Sequence, residues 1–155
     1  MTLKIGEAIP KCAVAATSGL VFEPNSFIGK KLVLYFYPKD ATPGCTVEAG
    51  NFRDTIDSFT EANAVIVGVS RDSLKSHEKF KSQHELPFEL VADVDEVLCG
   101  IFGVMKMKNM YGKQVRGLER STFLFDSKGL LCHEWRGIKV PGHVEHVLKT
   151  VVAMS

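Results

Sequence analysis

Two stretches of this chain are apolar at almost every position rather than at every second one: Lys31 to Tyr37 (Lys-Leu-Val-Leu-Tyr-Phe-Tyr) and Ala64 to Ser70 (Ala-Val-Ile-Val-Gly-Val-Ser). A strand with one face in water alternates polar and apolar residues. An uninterrupted β-branched and aromatic run instead predicts a strand covered on both faces, the situation of central strands in a parallel sheet. Gly29 and Pro38 bound the first run. Helical spacing follows each strand. Val47, Phe52, Ile56 and Phe59 recur at helical intervals from Cys45 to about Glu61, and Asp72 or Ser73 is placed to cap a helix running through about Gln83, with Glu78 and Lys79 on its exposed side.

Beyond these, Phe88 to Val91 reads as a short third strand and Asp95 to Phe102 as a short helix. Thr122 to Asp126, the turn Asp126-Ser127-Lys128-Gly129 and Leu130 to Trp135 form a hairpin pattern, and His143 to Ala153 a terminal amphipathic helix with Val144, Val147, Leu148 and Val151 on one face. Strand–helix alternation followed by a hairpin and a helix fits an α/β fold of thioredoxin-like type, with a central mixed sheet flanked by helices. No linker, repeat or low-complexity segment divides the chain, so residues 1–155 are expected to form one domain.

Composition narrows the function classes. A hydrophobic fraction of 45% with 24% charged residues is ordinary for a globular protein. A net charge of +1 without a long basic run argues against nucleic acid and anionic membrane as partners. Lys106, Lys108, Lys113 and Arg116 lie among Met, Asn, Tyr and Gly, and this segment is expected to be a solvated loop or lid. The first residues lack a signal-peptide stretch and no window approaches a membrane span, so a cytoplasmic protein is expected. Cys12, Cys45, Cys99 and Cys132 are irregularly spaced, which does not suggest a disulfide framework.

Cys45 is the residue with chemistry to explain. It lies in Tyr37-Pro38-Lys39-Asp40-Ala41-Thr42-Pro43-Gly44-Cys45-Thr46-Val47-Glu48, directly after the first strand, in the first turn of a helix and with a hydroxyl three residues earlier. Unpaired N–H groups and the partial positive charge of a helix start favour a thiolate, which is the nucleophilic form. Positions 42 and 48 are Thr and Glu, so the motif holds no Cys-x-x-Cys pair. Attack on a small electrophile is therefore expected in preference to dithiol–disulfide exchange. A free cysteine is more often an inert buried side chain, but the helix-start placement argues against that here.

Pro38-x-x-x-Thr42-x-x-Cys45 resembles the Pro-x-x-x-Thr/Ser-x-x-Cys signature of peroxiredoxins, thiol peroxidases that reduce hydroperoxides. Leu34-Tyr35-Phe36-Tyr37-Pro38-Lys39-Asp40, Thr42-Pro43-Gly44-Cys45-Thr46, Phe52-Arg53-Asp54, Glu119-Arg120-Ser121-Thr122-Phe123 and Val140-Pro141-Gly142-His143 resemble, in order, the bacterioferritin-comigratory (PrxQ) branch. The resemblance implies that Cys45 thiolate attacks a hydroperoxide, releases water or an alcohol and becomes a sulfenic acid that a thiol reduces. Thr42, besides capping the helix, would aim its hydroxyl at the sulfur, and Pro38 would shield it. Arg120 would lie beside Cys45, where a permanent positive charge favours the thiolate and holds the peroxide oxygen that gains charge. The plain alternative is a salt bridge to Glu119 or Glu48. Glu48 would orient the guanidinium, beyond its favourable place near a helix start. The resemblance implies no bound cofactor or metal, a monomeric or weakly associating protein, and thioredoxin, glutaredoxin or glutathione as reductant.

One departure from the branch stands out. A resolving cysteine would fall five residues after Cys45 or in the next helix, where this chain has Gly50 and Lys81. A one-cysteine cycle is the leading version, with Cys99 the best intramolecular candidate otherwise and Cys132 also open. Two other classes of function remain at this point: a redox sensor or chaperone that transmits oxidation to a partner, and a metallochaperone, which would want a second cysteine in the Cys45 loop. His143 and His146, spaced i,i+3, are expected on an exposed helix face rather than at a metal, Cys132 and His133 on opposite faces of a strand, and Trp135 in packing.

Overall fold

The computed structural model describes residues 2–154. Its elements in chain order are β1 (Val14–Ala15), β2 (Val21–Phe22), a 3-10 turn (Pro24–Phe27), β3 (Lys31–Phe36), α1 (Pro43–Asp54), α2 (Ile56–Glu61), β4 (Ala64–Ser70) and α3 (Leu74–Gln83). Then come β5 (Glu89–Ala92), α4 (Val97–Phe102), β6 (Met105–Met110), β7 (Lys113–Leu118), β8 (Ser121–Phe125), β9 (Leu131–Arg136) and α5 (His143–Ala153). The central sheet has the order β5-β4-β3-β8-β9. β3 pairs in parallel with β4, and β4 with β5, while β8 runs antiparallel to both β3 and β9. This is the mixed, helix-flanked, thioredoxin-like sheet that the pattern of apolar runs predicts.

The two apolar runs do occupy the middle of the sheet, and every residue of β3 is buried. Period-two alternation sends Leu32, Leu34 and Phe36 into one core, with Val69, Val91, Phe123 and Phe125 and the α4 residues Leu98, Cys99 and Phe102. Val33, Tyr35 and Tyr37 enter the other core, which α1, α2, α3 and α5 cover with Phe52, Phe59, Phe80 and Val147. Each such aromatic or aliphatic side chain contributes about 1.5–3 kcal/mol by leaving water. Tyr35 stacks on Phe52 with ring centroids 4.6 Å apart. Gly68 in β4 makes room for it, because a Cβ there would lie 2.9 Å from the Tyr35 hydroxyl and 2.8 Å from Leu90.

Three local features differ from the sequence expectation. The helix expected from Cys45 to Glu61 begins at Pro43 and breaks at Thr55, whose backbone leaves the helical region (φ −114°, ψ 12°) and whose hydroxyl bonds back to the Asn51 carbonyl at 2.8 Å. The segment 106–116, expected as a loop, is mostly the hairpin β6–β7, turned by Tyr111 and Gly112 at φ 52° and 80°. Both central turn residues at positive φ suit a tight hairpin, but Tyr-Gly is not the usual signal, and exposure of both faces hides the strand period. The small β1–β2 pair and the 3-10 turn have no counterpart in the sequence reading. Among the described residues no helix is long and apolar enough to cross a membrane.

Candidate active site

The loop after β3 is held from beneath by a buried charge. Asp40 accepts hydrogen bonds from Tyr37 Oη (2.6 Å) and Ser76 Oγ (2.8 Å), and its Oδ2 lies 2.7 Å from His77 Nδ1 on α3. Its own N–H donates to Asp72 Oδ2 at 2.9 Å, and His77 Nε2 lies 2.9 Å from the Val91 carbonyl oxygen. Burial alone would raise the Asp40 carboxyl, but hydrogen bonds from His77 and Tyr37 outweigh it and hold the group below its ordinary value. The Asp40 carboxylate thus ties the segment Pro38 to Thr42 to α3, His77 carries that tie on to β5, and the Asp40 backbone N–H adds a link to Asp72 in the turn after β4. Nothing local in the sequence marks Asp40 or His77 as a buried charged residue.

Pro43 then starts α1 at the first helical position, where a missing N–H costs nothing and φ is already fixed. Cys45 is the third helical residue, in the turn whose N–H groups have no intrahelical acceptor, and is buried. Arg120, in the short connection between β7 and β8, reaches it from 75 residues away: Nη2 donates to Cys45 Sγ at 3.4 Å and Nη1 to Glu48 Oε1 at 2.6 Å. A Cβ at Gly44 would stand 3.1 Å from Arg120 Nη2, so glycine at this position lets the guanidinium close over the helix start. The structure therefore brings Cys45, Glu48 and Arg120 together, and the salt bridge to Glu48 and the contact with sulfur coexist.

Thr42 and Pro38 are placed differently from one another. Thr42 occupies the N-cap position, but its hydroxyl caps no N–H. It donates instead to the Lys39 carbonyl oxygen at 2.9 Å, while the Thr42 carbonyl accepts from Thr46 N–H and Thr46 Oγ1. The capping expectation is corrected on this point: the hydroxyl is turned back to the Lys39 carbonyl and its oxygen accepts no N–H of the first turn. Pro38 is half-buried and opens the loop after β3.

The charges around the site are unequal. Glu48 is fully buried, and burial pushes its carboxyl up to about 7 against the lowering influence of Arg120. Its Oε2 has no hydrogen-bond partner among the described residues, and neither has the hydroxyl of Tyr35, whose ionisation burial and the nearby Glu48 push far upward. Arg120 is raised: burial works against its charge, but Glu48 and Cys45 more than compensate.

His143 corrects the expectation of an exposed face. It is buried, with Nε2 2.8 Å from Thr122 Oγ1, and its ring meets Trp135 edge-on; only His146 is exposed. Burial, with the positive fields of His146 and Arg120, lowers it to about 4. A base lowered in the folded state binds fewer protons than its unfolded counterpart, so its contribution to stability is present above about 6.5 and lost as pH falls through about 4. His143→Gln should flatten the acid side of a urea-midpoint-versus-pH profile in that window; an unchanged slope would show that other groups govern it.

The remaining thiols are poorly placed to reach Cys45. Cys99 sits in the core on the opposite face of the sheet, its backbone N–H on Asp93 Oδ2 at 2.8 Å, and burial followed by the Asp93 carboxylate pushes its thiol far up. Cys99 is therefore not the better intramolecular candidate. Cys132 is on the Cys45 face but bonds to the Leu124 carbonyl, opposite Val33, four residues along β8 from Arg120, or roughly 13 Å. Lys81 on α3 reaches Glu89 at 3.5 Å. A cavity of about 450 Å³ bordered by Phe22, Phe27, Ile66 and Phe88 touches none of the Cys45 constellation.

Known proteins resemble this chain over most of its length. The AhpC/TSA family model matches residues 5–133. The chain is 48% identical over 155 residues to peroxiredoxin Bcp of Bacillus subtilis, covering 100% of this chain and 99% of that protein, and 53% identical over 125 residues to peroxiredoxin Bcp of Xanthomonas campestris, covering 81% and 78%. Among solved structures, Xanthomonas campestris peroxiredoxin Q superposes with a TM-score of 0.92 at 45% identity, covering 98% of this chain and 96% of that one, and a Xylella fastidiosa PrxQ variant with 0.93 at 39%, covering 99% and 98%. Family match, full-length identity and superposition agree: this chain belongs to the AhpC/TSA family, in its Bcp/PrxQ peroxiredoxin branch.

Proposed function

We propose that this protein is a thiol-dependent peroxidase that reduces hydrogen peroxide and organic hydroperoxides through Cys45, in a one-cysteine cycle recycled by an external thiol. The observation that carries the reading is Arg120 spanning Cys45 Sγ and Glu48 at the start of α1. A guanidinium on a helix-start sulfur favours the thiolate, and its remaining N–H donors suit the oxygen that gains charge as an O–O bond breaks. The step balances as thiolate plus R–O–O–H plus one proton giving Cys45–S–OH and R–OH: sulfur is oxidised, the O–O bond is reduced. In this reading Pro38 screens the sulfur from water, Glu48 holds the guanidinium in register, and the Thr42 hydroxyl, whose proton goes to the Lys39 carbonyl, orients the peroxide by accepting its O–H. A solved structure of the Xanthomonas campestris bacterioferritin comigratory protein, 45% identical to this chain, concerns alkyl peroxide reduction, which supports organic hydroperoxides as substrates.

The one-cysteine version is supported by the placement of Cys99 and Cys132 and by Gly50 and Lys81 at the two positions where a resolving cysteine would be expected. A disulfide needs Cα atoms within about 7 Å; Cys99 belongs to the core on the other face of the sheet, and the Cys132 thiol is turned to the Leu124 carbonyl, four residues along the chain from Arg120. Thioredoxin, glutaredoxin and glutathione are the donors to compare. The test is peroxide consumption with each donor, and intact mass after one peroxide equivalent without any. Expected are many turnovers per protein and a mass gain of one oxygen, about 16 Da, trapped by dimedone at Cys45. A single turnover would turn the reading toward a redox sensor. A loss of two hydrogens with a peptide linking Cys45 to Cys99 or Cys132 would replace the one-cysteine cycle.

A further inference from the structure

Around Cys45 one cation faces two acids. Arg120 Nη1 is committed to Glu48 Oε1 and Nη2 to Cys45 Sγ; Cys45 and Glu48 are buried and Arg120 partly so. Among the described residues no second positive charge bonds to Cys45 or Glu48. On β3 the Tyr35 phenol is neutral, since burial holds its proton firmly. At the start of α5, His143 is uncharged above about 4. Asp40 is already paired with His77, Arg53 on α1 is bound to Asp54 and the His84 carbonyl, and Lys39 is exposed. One guanidinium balances one anion, and a second buried anion beside it is disfavoured by repulsion and by lost hydration. Glu48 Oε2, buried and without a partner, is where a proton has room: a carboxylate normally accepts bonds at both oxygens, and this oxygen accepts none.

We infer that Cys45 and Glu48 hold one proton between them across Arg120, so that Glu48 takes up the proton Cys45 releases and the two ionised states exclude each other. Glu48 is then more than a brace for the guanidinium: it competes for the same positive charge, and thiolate forms at the expense of its carboxylate. A buried carboxyl with a midpoint of about 7 is in range to make that exchange at physiological pH. Two acids that compete for one positive charge titrate as a pair, in two steps that each belong to both.

A brace and a proton partner predict opposite outcomes for Glu48→Gln, which keeps an oxygen for Arg120 Nη1 and removes the acid. If Glu48 only orients Arg120, thiolate formation stays where it was or moves to higher pH. If the proton is shared, thiolate ultraviolet absorbance, taken as the difference from Cys45→Ser, collapses from two steps to one and moves to lower pH by about one unit or more. The reciprocal arm leaves Glu48 untouched. In Cys45→Ser the infrared carbonyl band of the protonated Glu48 carboxyl, assigned by Glu isotope labelling, should vanish at lower pH than in the parent, by the same shift, as linkage requires. Superimposable thiolate titrations, an upward shift, or a Glu48 band indifferent to Cys45→Ser would overturn the inference. It builds on Cys45 as the reacting thiol, yet the two fail separately: turnover by Cys45→Ser ends the peroxidase reading, uncoupled titrations end only this one.

Discussion

Cys45→Ser should abolish peroxide reduction, with a fall of about 10,000-fold or more, comparable to removal of a nucleophile from other covalent enzymes. A serine hydroxyl is almost un-ionised at neutral pH, so Arg120 and the helix start have no anion to stabilise and the O–O bond has no attacking group. The fold should survive, because the site is one buried side chain and the change is nearly isosteric. Single replacements of Cys12, Cys99 or Cys132 should leave the first oxidation step near its original rate, measured by stopped-flow peroxide consumption, since among the described residues none hydrogen-bonds to Arg120 or to the loop before α1. Substantial turnover by Cys45→Ser would remove the foundation of the proposed function.

Arg120→Met has the second-largest expected effect, and it separates chemistry from folding. Loss of the one guanidinium on Cys45 should slow peroxide attack about 100- to 1,000-fold, the usual scale for removing one preorganised donor from a site of developing charge. Stability should fall in a pH-dependent way. Removing one member of a buried ion pair costs about 3–5 kcal/mol if the other stays charged. Glu48 escapes part of this by keeping its proton, since burial already raises it to about 7 with Arg120 present. An acid raised in the folded state contributes stability fully below its unfolded value, near 4.5, and loses it as pH rises through the folded value. Arg120→Met should therefore unfold at distinctly lower urea above about pH 7 than below pH 4.5, while Arg120→Met with Glu48→Gln regains the stability and not the activity. A pH-independent loss would mean that Glu48 pays no penalty when left alone.

Much of the architecture is legible in local pattern. The uninterrupted apolar runs Lys31 to Tyr37 and Ala64 to Ser70 could be satisfied only in the middle of a sheet covered on both faces, and Ser73 starts its helix as a capping residue should, its Oγ accepting from Ser76 N–H at 3.2 Å. The terminal helix keeps the bounds its period implies. Cys45 is also legible as a helix-start thiol, because strand end, proline and helix period all lie within a dozen residues of it. The β6–β7 hairpin escaped, since strand periodicity shows in sequence only when one face is buried.

What tertiary structure alone decided is which groups are dry and which distant ones meet them. The resemblance placed Arg120 near Cys45, but not the division of its two Nη groups between sulfur and Glu48. Nothing in the string marks Asp40 and His77, 37 residues apart, as one buried pair, His143 as hidden, or Cys99 as walled off behind the sheet. A residue's propensity and period come from its neighbours along the chain, and these the sequence carries. Its charge state depends on desolvation and on partners tens of residues away, and those exist only once the sheet has closed and brought β8, α3 and α1 onto one face.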